Sequence, residues 1–381
     1  MKVVNIIDKE NCCGCSACSE RCPHQCIIMQ KDEQGFLYPH IDESKCVDCG
    51  LCSEVCPALH QKDTIKPLHT YVAKNEDKAV RLQSSSGGVF TAMAEMIVHD
   101  GGIVFGARFD KEWRIVHSYT EKLDGLAAFR GSKYAQSEMG SCYREAEQFL
   151  NEGRKVLFTG TPCQIKGLQT FLHKYYENLV TVAIACHSVP SPMIWKDYLK
   201  GLKLRDIKKI DFRNKRISWE QYGLNIDYGQ NNTFFQKHDD NAFMQLFLHG
   251  LIVRPSCFQC PAKNWNSAAD IIIGDCWGLS QVAPSFLNDH LGVSFIACQT
   301  EKGERFLKTT HIEAVEVPIE EVEKHNGGLS QLAIQPEEYD SFWQAYKNED
   351  DKTKVLKTFV KPFLPSFSLR LKSFLYGMFR K

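Results

Sequence analysis

Eight cysteines near the start of the chain stand at the spacing that wraps iron–sulfur cubes. Cys12, Cys15, Cys18 and Cys22 follow C-x2-C-x2-C-x3-C with Pro23 directly after. Cys46, Cys49, Cys52 and Cys56 repeat the pattern 34 residues later, with Pro57 after. Three cysteines at intervals of three can curl around one cube, whereas the fourth cannot reach it and ligates the other cube of a two-cluster module. The expected sets are therefore Cys12, Cys15, Cys18 and Cys56 for one 4Fe–4S cluster, and Cys46, Cys49, Cys52 and Cys22 for the second. Paired C-x2-C units also make zinc knuckles, but tetrahedral zinc has no use for two interleaved sets of four with trailing prolines. A disulfide scaffold requires an exported chain, and the start, MKVVNIIDKENCC, lacks the apolar core of a secretory signal. Cys13 and Cys26 fall outside the spacing and are expected to be ordinary packed cysteines whose replacement changes little.

The elements that must hold these ligands are small. Residues 1–60 resemble the bacterial two-cluster ferredoxins. A module of that size buries little apolar surface, so its clusters supply much of its folding energy. The polar stretch 61–70, with Pro67, reads as a linker. From Tyr71, apolar β-rich runs alternate with helical patterns: Gly102–Phe109, Lys155–Phe158, Val180–Ala185 and Ala269–Ile273 as buried strands, Val89–Val98 and Pro192–Leu202 as helices. The fold expected is α+β or α/β, a small ferredoxin module followed by a larger mixed α/β domain over 71–350. With 46 basic and 46 acidic residues the formal charge is zero, which gives no footprint for nucleic acid.

Two junctions in the large domain could hold a phosphate or another ligand. Ser84-Ser85-Ser86-Gly87-Gly88 opens the helix near Val89, where free N–H groups and small side chains make a cradle or, equally, a serine cap with a glycine lead-in. Gly160-Thr161-Pro162-Cys163-Gln164 follows an apolar strand and puts Cys163 at its carboxyl end, where open α/β sheets bind ligands.

The runs SSSGGVF, RGSKYAQS, FTGTPCQIKGL, CHSVPSPMIWKDYL, FRNKRISWEQYGL and RPSCFQCPAKNWNSAADIIIGDCWGL, in this order from about Tyr71 to Leu329, resemble the coenzyme F(420) hydrogenase/dehydrogenase beta-subunit family. The resemblance implies a flavoprotein holding FAD with an iron–sulfur cluster near it. It points to Ser85, Ser86, Gly87, Gly88, Lys133, Gly160, Thr161, Pro162 and Gln164 as contacts of the flavin and its phosphates. Cys276 departs from the family, which commonly has an aromatic residue there in GD-x-WG. Cys163, Cys186, Cys257 and Cys260 all fall within family motifs and could hold a third cluster; a catalytic thiol at Cys163, a small zinc site and buried reduced cysteines are the rival readings. His187 beside Cys186 is a candidate proton donor. Cys142, Cys276 and Cys298 are expected to be bystanders.

Residues 351–381 form a basic tail; from 352 on there are eight Lys or Arg and no Asp or Glu. Phe367, Leu371, Phe374, Leu375 and Met378 recur at helical spacing, which suits peripheral contact with the inner face of an anionic membrane or packing on the chain's own domain. The whole is expected to be cytoplasmic. The function expected is an FAD-dependent oxidoreductase passing electrons between 4Fe–4S clusters and an organic substrate or deazaflavin coenzyme, with ferredoxin or another oxidoreductase subunit as partner. The rival is a non-catalytic electron-transfer subunit of a larger complex. Anaerobic reconstitution is expected to yield eight iron and eight sulfide from the eight N-terminal ligands and about twelve of each with the third set. Stoichiometric zinc with little iron would overturn this expectation, and Cys18→Ser should lose one cluster.

Overall fold

The computed structural model describes residues 8–61 and 64–364. The N-terminal module has two cysteine loops and one hairpin, β1 (Ile27–Lys31) and β2 (Leu37–Ile41), paired antiparallel from Ile27↔Ile41 to Lys31↔Leu37. Each loop runs into a short helix, Ala17–Arg21 or Leu51–Glu54, entered through a left-handed residue, Ser16 or Gly50.

The large domain is built on an eight-stranded sheet. Its strands are β3 (His69–Lys74), β4 (Ile103–Phe109), β5 (Ile115–Thr120), β6 (Val156–Gly160) and β7 (Leu179–Ile184), followed, beyond a separate sheet, by β11 (Ile271–Asp275), β12 (Ser294–Cys298) and β13 (Glu313–Glu316). Their order is β13-β3-β12-β11-β7-β6-β4-β5, with the central four, β11, β7, β6 and β4, parallel and the flanks antiparallel. β6 is buried at all five positions, as a parallel strand covered on both faces must be. Side chains alternate between two cores: Ile103, Phe105, Val156 and Phe158 face one, Val104 and Leu157 the other. A separate antiparallel sheet, β8 (Ile207–Asn214), β9 (Gly223–Tyr228) and β10 (Asn232–Lys237), packs with the helix Pro192–Gly201 in a third core.

That third core extends further along the chain than expected. The helices Tyr339–Asn348 and Lys352–Val360 bury Phe342, Tyr346, Val355, Leu356 and Val360 in it. The boundary expected at 350/351 is therefore corrected: 352–360 belongs to the domain because its apolar face has a partner. At the other end, His69 and Thr70, expected in the linker, already lie in β3. The apolar stripe from Phe367 onward lies outside the described residues. Among those described, no helix is long and apolar enough to cross a membrane.

The cysteine module is built into the large domain. Phe36 at the hairpin is fully buried among residues of the third core, and Ser191 Oγ donates to Gln34 O. Glu20 accepts the N–H groups of Tyr143 and Arg144 at 3.0 and 3.1 Å, at the start of the helix Cys142–Asn151. Thr170 Oγ1 donates to Val55 O at 2.7 Å.

Within the helix Pro162–Leu172, Gly167 faces the first cysteine loop, and a Cβ there would meet Cys15 Cβ at 2.9 Å and Tyr143 Oη at 2.8 Å. On an open helix Gly→Ala adds about 1 kcal/mol of stability. Gly167→Ala is instead expected to cost about 1–3 kcal/mol by overpacking. Denaturant midpoints of the anaerobic holoprotein, with hydrogen exchange of residues 12–18, measure it; a gain in stability would mean the loop is not pressed on this helix.

Candidate functional site

The first cysteine loop faces inward and the second outward. Ala17 and Ser16 are buried, whereas Val47 is 59% exposed and Cys49 is exposed. Cys18 feels the charges of Cys12, Cys52 and Cys56, and Cys56 in turn that of Cys12, so the last cysteine of the second repeat sits beside the first repeat. Conversely, Cys22 of the first repeat lies with Cys26, their sulfurs 3.3 Å apart, and Cys26 also contacts Cys46 of the second. The chain crosses over between the repeats, as interleaved ligand sets require. Thiolates on an iron–sulfur cube spread over its corners, wider than around a single ion. Among the described residues, no three His, Cys, Asp or Glu side chains close on a single-ion site.

A second group of cysteines lies where the parallel strands end. β6 ends at Gly160, and the helix after it starts with a reciprocal cap: Thr161 N–H donates to Gln164 Oε1 at 2.9 Å and Pro162 occupies the first turn. Cys163 lies in that first turn, Cys186 two residues beyond the end of β7, and Cys257 and Cys260 in and just after the short turn Pro255–Gln259. All four line one cavity of about 60 Å³, room for several water-sized atoms. Cys186 feels the charges of Cys257, Cys163 and Cys260. Burial pushes the Cys257 thiol up to about 12, so a metal would have to displace its proton.

The cavity is lined by cations and by no Asp or Glu. Arg254 is fully buried and donates to Cys12 O at 2.7 Å, Leu37 O at 2.9 Å and Gln136 Oε1 at 2.8 Å. Lys263 donates to Cys186 O at 2.6 Å, Gly328 O at 2.7 Å and His187 O at 3.3 Å. Neither has a carboxylate in ion-pairing contact among the described residues. Ser188 Oγ, buried beside the cavity, has no hydrogen-bond partner among them. Unpaired buried charge is costly; the donor set fits a thiolate-ligated centre whose net charge is negative. His187 lines the same cavity, packs edge-on against Phe247, and is held below its usual range by burial.

The residues expected at the flavin fall into two neighbourhoods. Ser132 N–H donates to Ser85 Oγ at 2.6 Å, joining the Ser84–Gly88 loop to the loop that carries Lys133. Lys133 Nζ donates to Arg130 O and Gly131 O, and desolvation lowers it to about 7. Ser86 Oγ donates to Val293 O, and Gly87 N–H donates to Ser294 Oγ. A Cβ on Gly87 would meet Ala73 O at 2.6 Å and Ser294 N at 2.7 Å. Gly88 is buried with φ 76° at the helix start. Gly87 thus serves packing against β3 and β12 and Gly88 packing against Asn75, Val80 and Arg81, and the Gly87 N–H is not free for a phosphate. In the second neighbourhood, Gln164 Nε2 donates to Ser137 Oγ, which contacts His117 Nδ1 at 2.8 Å, while His117 Nε2 lies 3.1 Å from Thr159 O. This arrangement fits a neutral imidazole with its proton on Nε2, and burial lowers His117 to about 4. Thr161 and Gln164 therefore spend polar atoms on the cap and on this network.

Sequence reasoning missed Arg254, Lys263, His117 and Ser137, and also the buried pair Arg213–Asp275, whose carboxylate accepts from Trp219 Nε1 under the stacked rings of Trp219 and Trp277. The T-x-x-Q capping signature at Thr161 was readable. Cys142, Cys276 and Cys298 are buried in the apolar cores.

Residues 153–325 match the family model for the C-terminal part of the coenzyme F(420) hydrogenase/dehydrogenase beta subunit, and residues 11–59 match the 4Fe-4S dicluster domain. No curated protein matches the chain. A chain in a xenon-derivatised structure of the F(420)-reducing [NiFe] hydrogenase complex from Methanosarcina barkeri is similar, with 20% identity over 77% of this chain and 92% of that one and a TM-score of 0.45. On the two matched segments, the chain is an iron–sulfur protein with a 4Fe-4S dicluster domain, followed by a segment similar to the C-terminal part of the coenzyme F(420) hydrogenase/dehydrogenase beta subunit.

Proposed function

We propose that the chain is an iron–sulfur flavoprotein oxidoreductase with three 4Fe–4S clusters and one FAD. The ligand sets are Cys12, Cys15, Cys18 and Cys56; Cys46, Cys49, Cys52 and Cys22; and Cys163, Cys186, Cys257 and Cys260. The observation that carries the third set is the cavity where these four thiols meet two buried cations that have no carboxylate in ion-pairing contact among the described residues. Bound there, the clusters would pass electrons singly, and the flavin would trade them in pairs with an organic substrate or a deazaflavin coenzyme.

The chain's own residues then have distinct tasks. The exposed loop Cys46–Cys52 offers an external carrier, such as ferredoxin or another oxidoreductase subunit, its approach to the second set. Arg254, Lys263 and the Ser188 hydroxyl supply positive potential and a donor to the third. Lys133, whose desolvation outweighs the charge of Asp211, suits the charge of FAD, with Ser85 on the adjoining loop. A sulfur that ligates iron is not also a nucleophile, so Cys163 serves as ligand and His187 is left to handle a proton at the cavity wall.

Anaerobic reconstitution is expected to give about twelve iron and one FAD per chain. Cys257→Ser should lower the iron to about eight and leave the FAD, whereas Cys142→Ser should change neither. Eight iron in both the parent and Cys257→Ser would remove the third cluster, and failure to bind FAD would remove the flavin. Turnover by the purified chain with reduced ferredoxin separates an enzyme from a non-catalytic subunit, which the same exposed loop would also suit.

A further inference from the structure

Cys13 lies outside both ligand sets and was expected to be filler, yet it lines the cavity with Cys163, Cys186, Cys257 and Cys260. It belongs to the first cysteine loop, between Cys12 and Cys15. Its thiol interacts with those of Cys15 and Cys163. Cys186, Cys257 and Cys260 feel Cys163 and one another, whereas Cys13 feels Cys163, Cys15 and Cys12. Its place is therefore between the two sets, outside the second.

That place is enforced by the large domain. Arg254 Nε holds Cys12 O at 2.7 Å and Gln136 Nε2 holds Cys13 O at 2.8 Å, while Arg254 Nη1 donates to Gln136 Oε1. Both clamping side chains are more than nine-tenths buried. The next residue, Gly14, has φ 67°, and a Cβ on it would meet Arg254 Nη1 at 2.8 Å. With both carbonyls and the following glycine fixed, the Cys13 backbone is held at the wall of the cavity that Cys163 also lines.

We propose that Cys13 is the positioning thiol that couples the two centres: it donates its S–H to the sulfur of Cys163 or of Cys15 and completes a sulfur-to-sulfur path from the first set to the third. The inference rests on the three-cluster reading above. A hydrogen bond to a ligating sulfur draws off negative charge and raises the potential of its centre. In the transfer itself one electron crosses, no bond forms or breaks, and the proton stays on the Cys13 sulfur.

The test is an EPR-monitored redox titration with iron analysis of the reconstituted full chain, its Cys13→Ala variant and its Cys13→Ser variant. Cys13→Ala should keep about twelve iron but make reduction of the third centre about tenfold less favourable, a downward shift of about 59 mV for a one-electron couple. Cys13→Ser, which keeps a donor, should recover much of that shift. Loss of about four iron in both variants would make Cys13 a ligand and overturn the proposal, as would midpoints that move in neither. Eight iron in the parent chain would overturn the three-cluster reading itself and take this inference with it.

Discussion

The guanidinium of Arg254 carries the joint between the two parts of the molecule. It is wholly out of water, with the rings of Tyr38 and Phe36 4.1 and 5.4 Å from it and neutral acceptors on three sides. Hydrogen bonding is satisfied, but charge is not, since desolvating an ion costs several kcal/mol unless an opposite charge compensates. The acceptors are themselves informative. One is the carbonyl of Cys12, another that of Leu37 at the start of β2, and the third a glutamine that holds the carbonyl of Cys13. A single buried cation therefore fixes the first cysteine loop and the hairpin to the large domain, and it does so where thiolate-bound iron would supply the missing negative charge.

An asymmetry follows within a nearly symmetric module. Both repeats have the same cysteine spacing, but their intervening residues differ. The first has Gly14, Ser16 and Ala17 between its ligands, small enough to lie against the helix Pro162–Leu172 at Gly167. The second has Val47, Asp48 and Leu51, and stays at the surface. Side-chain size between ligands thus decides which half is buried and which meets a partner. The polar stretch before β3 suggests a tether, but the packing of Phe36, Glu20 and Thr170 makes the module a fixed part of the structure.

Much of this was legible in the chain and some was not, for physical reasons. Apolar runs ending at Phe109, Phe158 and Ile273 announced buried strands, because a strand covered on both faces must be apolar throughout. The cysteine spacing announced iron, because that spacing fits a cube. Arg254 gave no signal, since one arginine among many carries no periodicity and its acceptors are backbone carbonyls far away in sequence. The same holds for Cys13, which stands between ligands yet acquires its neighbour Cys163 only through folding. The helix Lys352–Val360 was misjudged with the tail because its basic residues were visible while the core that receives Val355, Leu356 and Val360 was not.

The Ser84–Gly88 loop shows why a motif alone does not separate packing from cofactor binding. Gly87 must lack a side chain whether or not a flavin approaches, because Ala73 O and Ser294 N already occupy that space. What packing leaves unexplained is charge. Lys215 Nζ reaches Arg81 O, Ser86 O and Leu291 O on one side of the loop, Lys133 reaches two carbonyls on the next, and burial lowers both to about 7. Neither has a carboxylate in ion-pairing contact among the described residues, although the charge of Asp211 acts on both and that of Asp275 on Lys215. Desolvation outweighs these carboxylates, so each ammonium gains from a further anion brought near. The loop geometry is accounted for by the sheet; the two desolvated lysines beside it are what an anionic cofactor would account for.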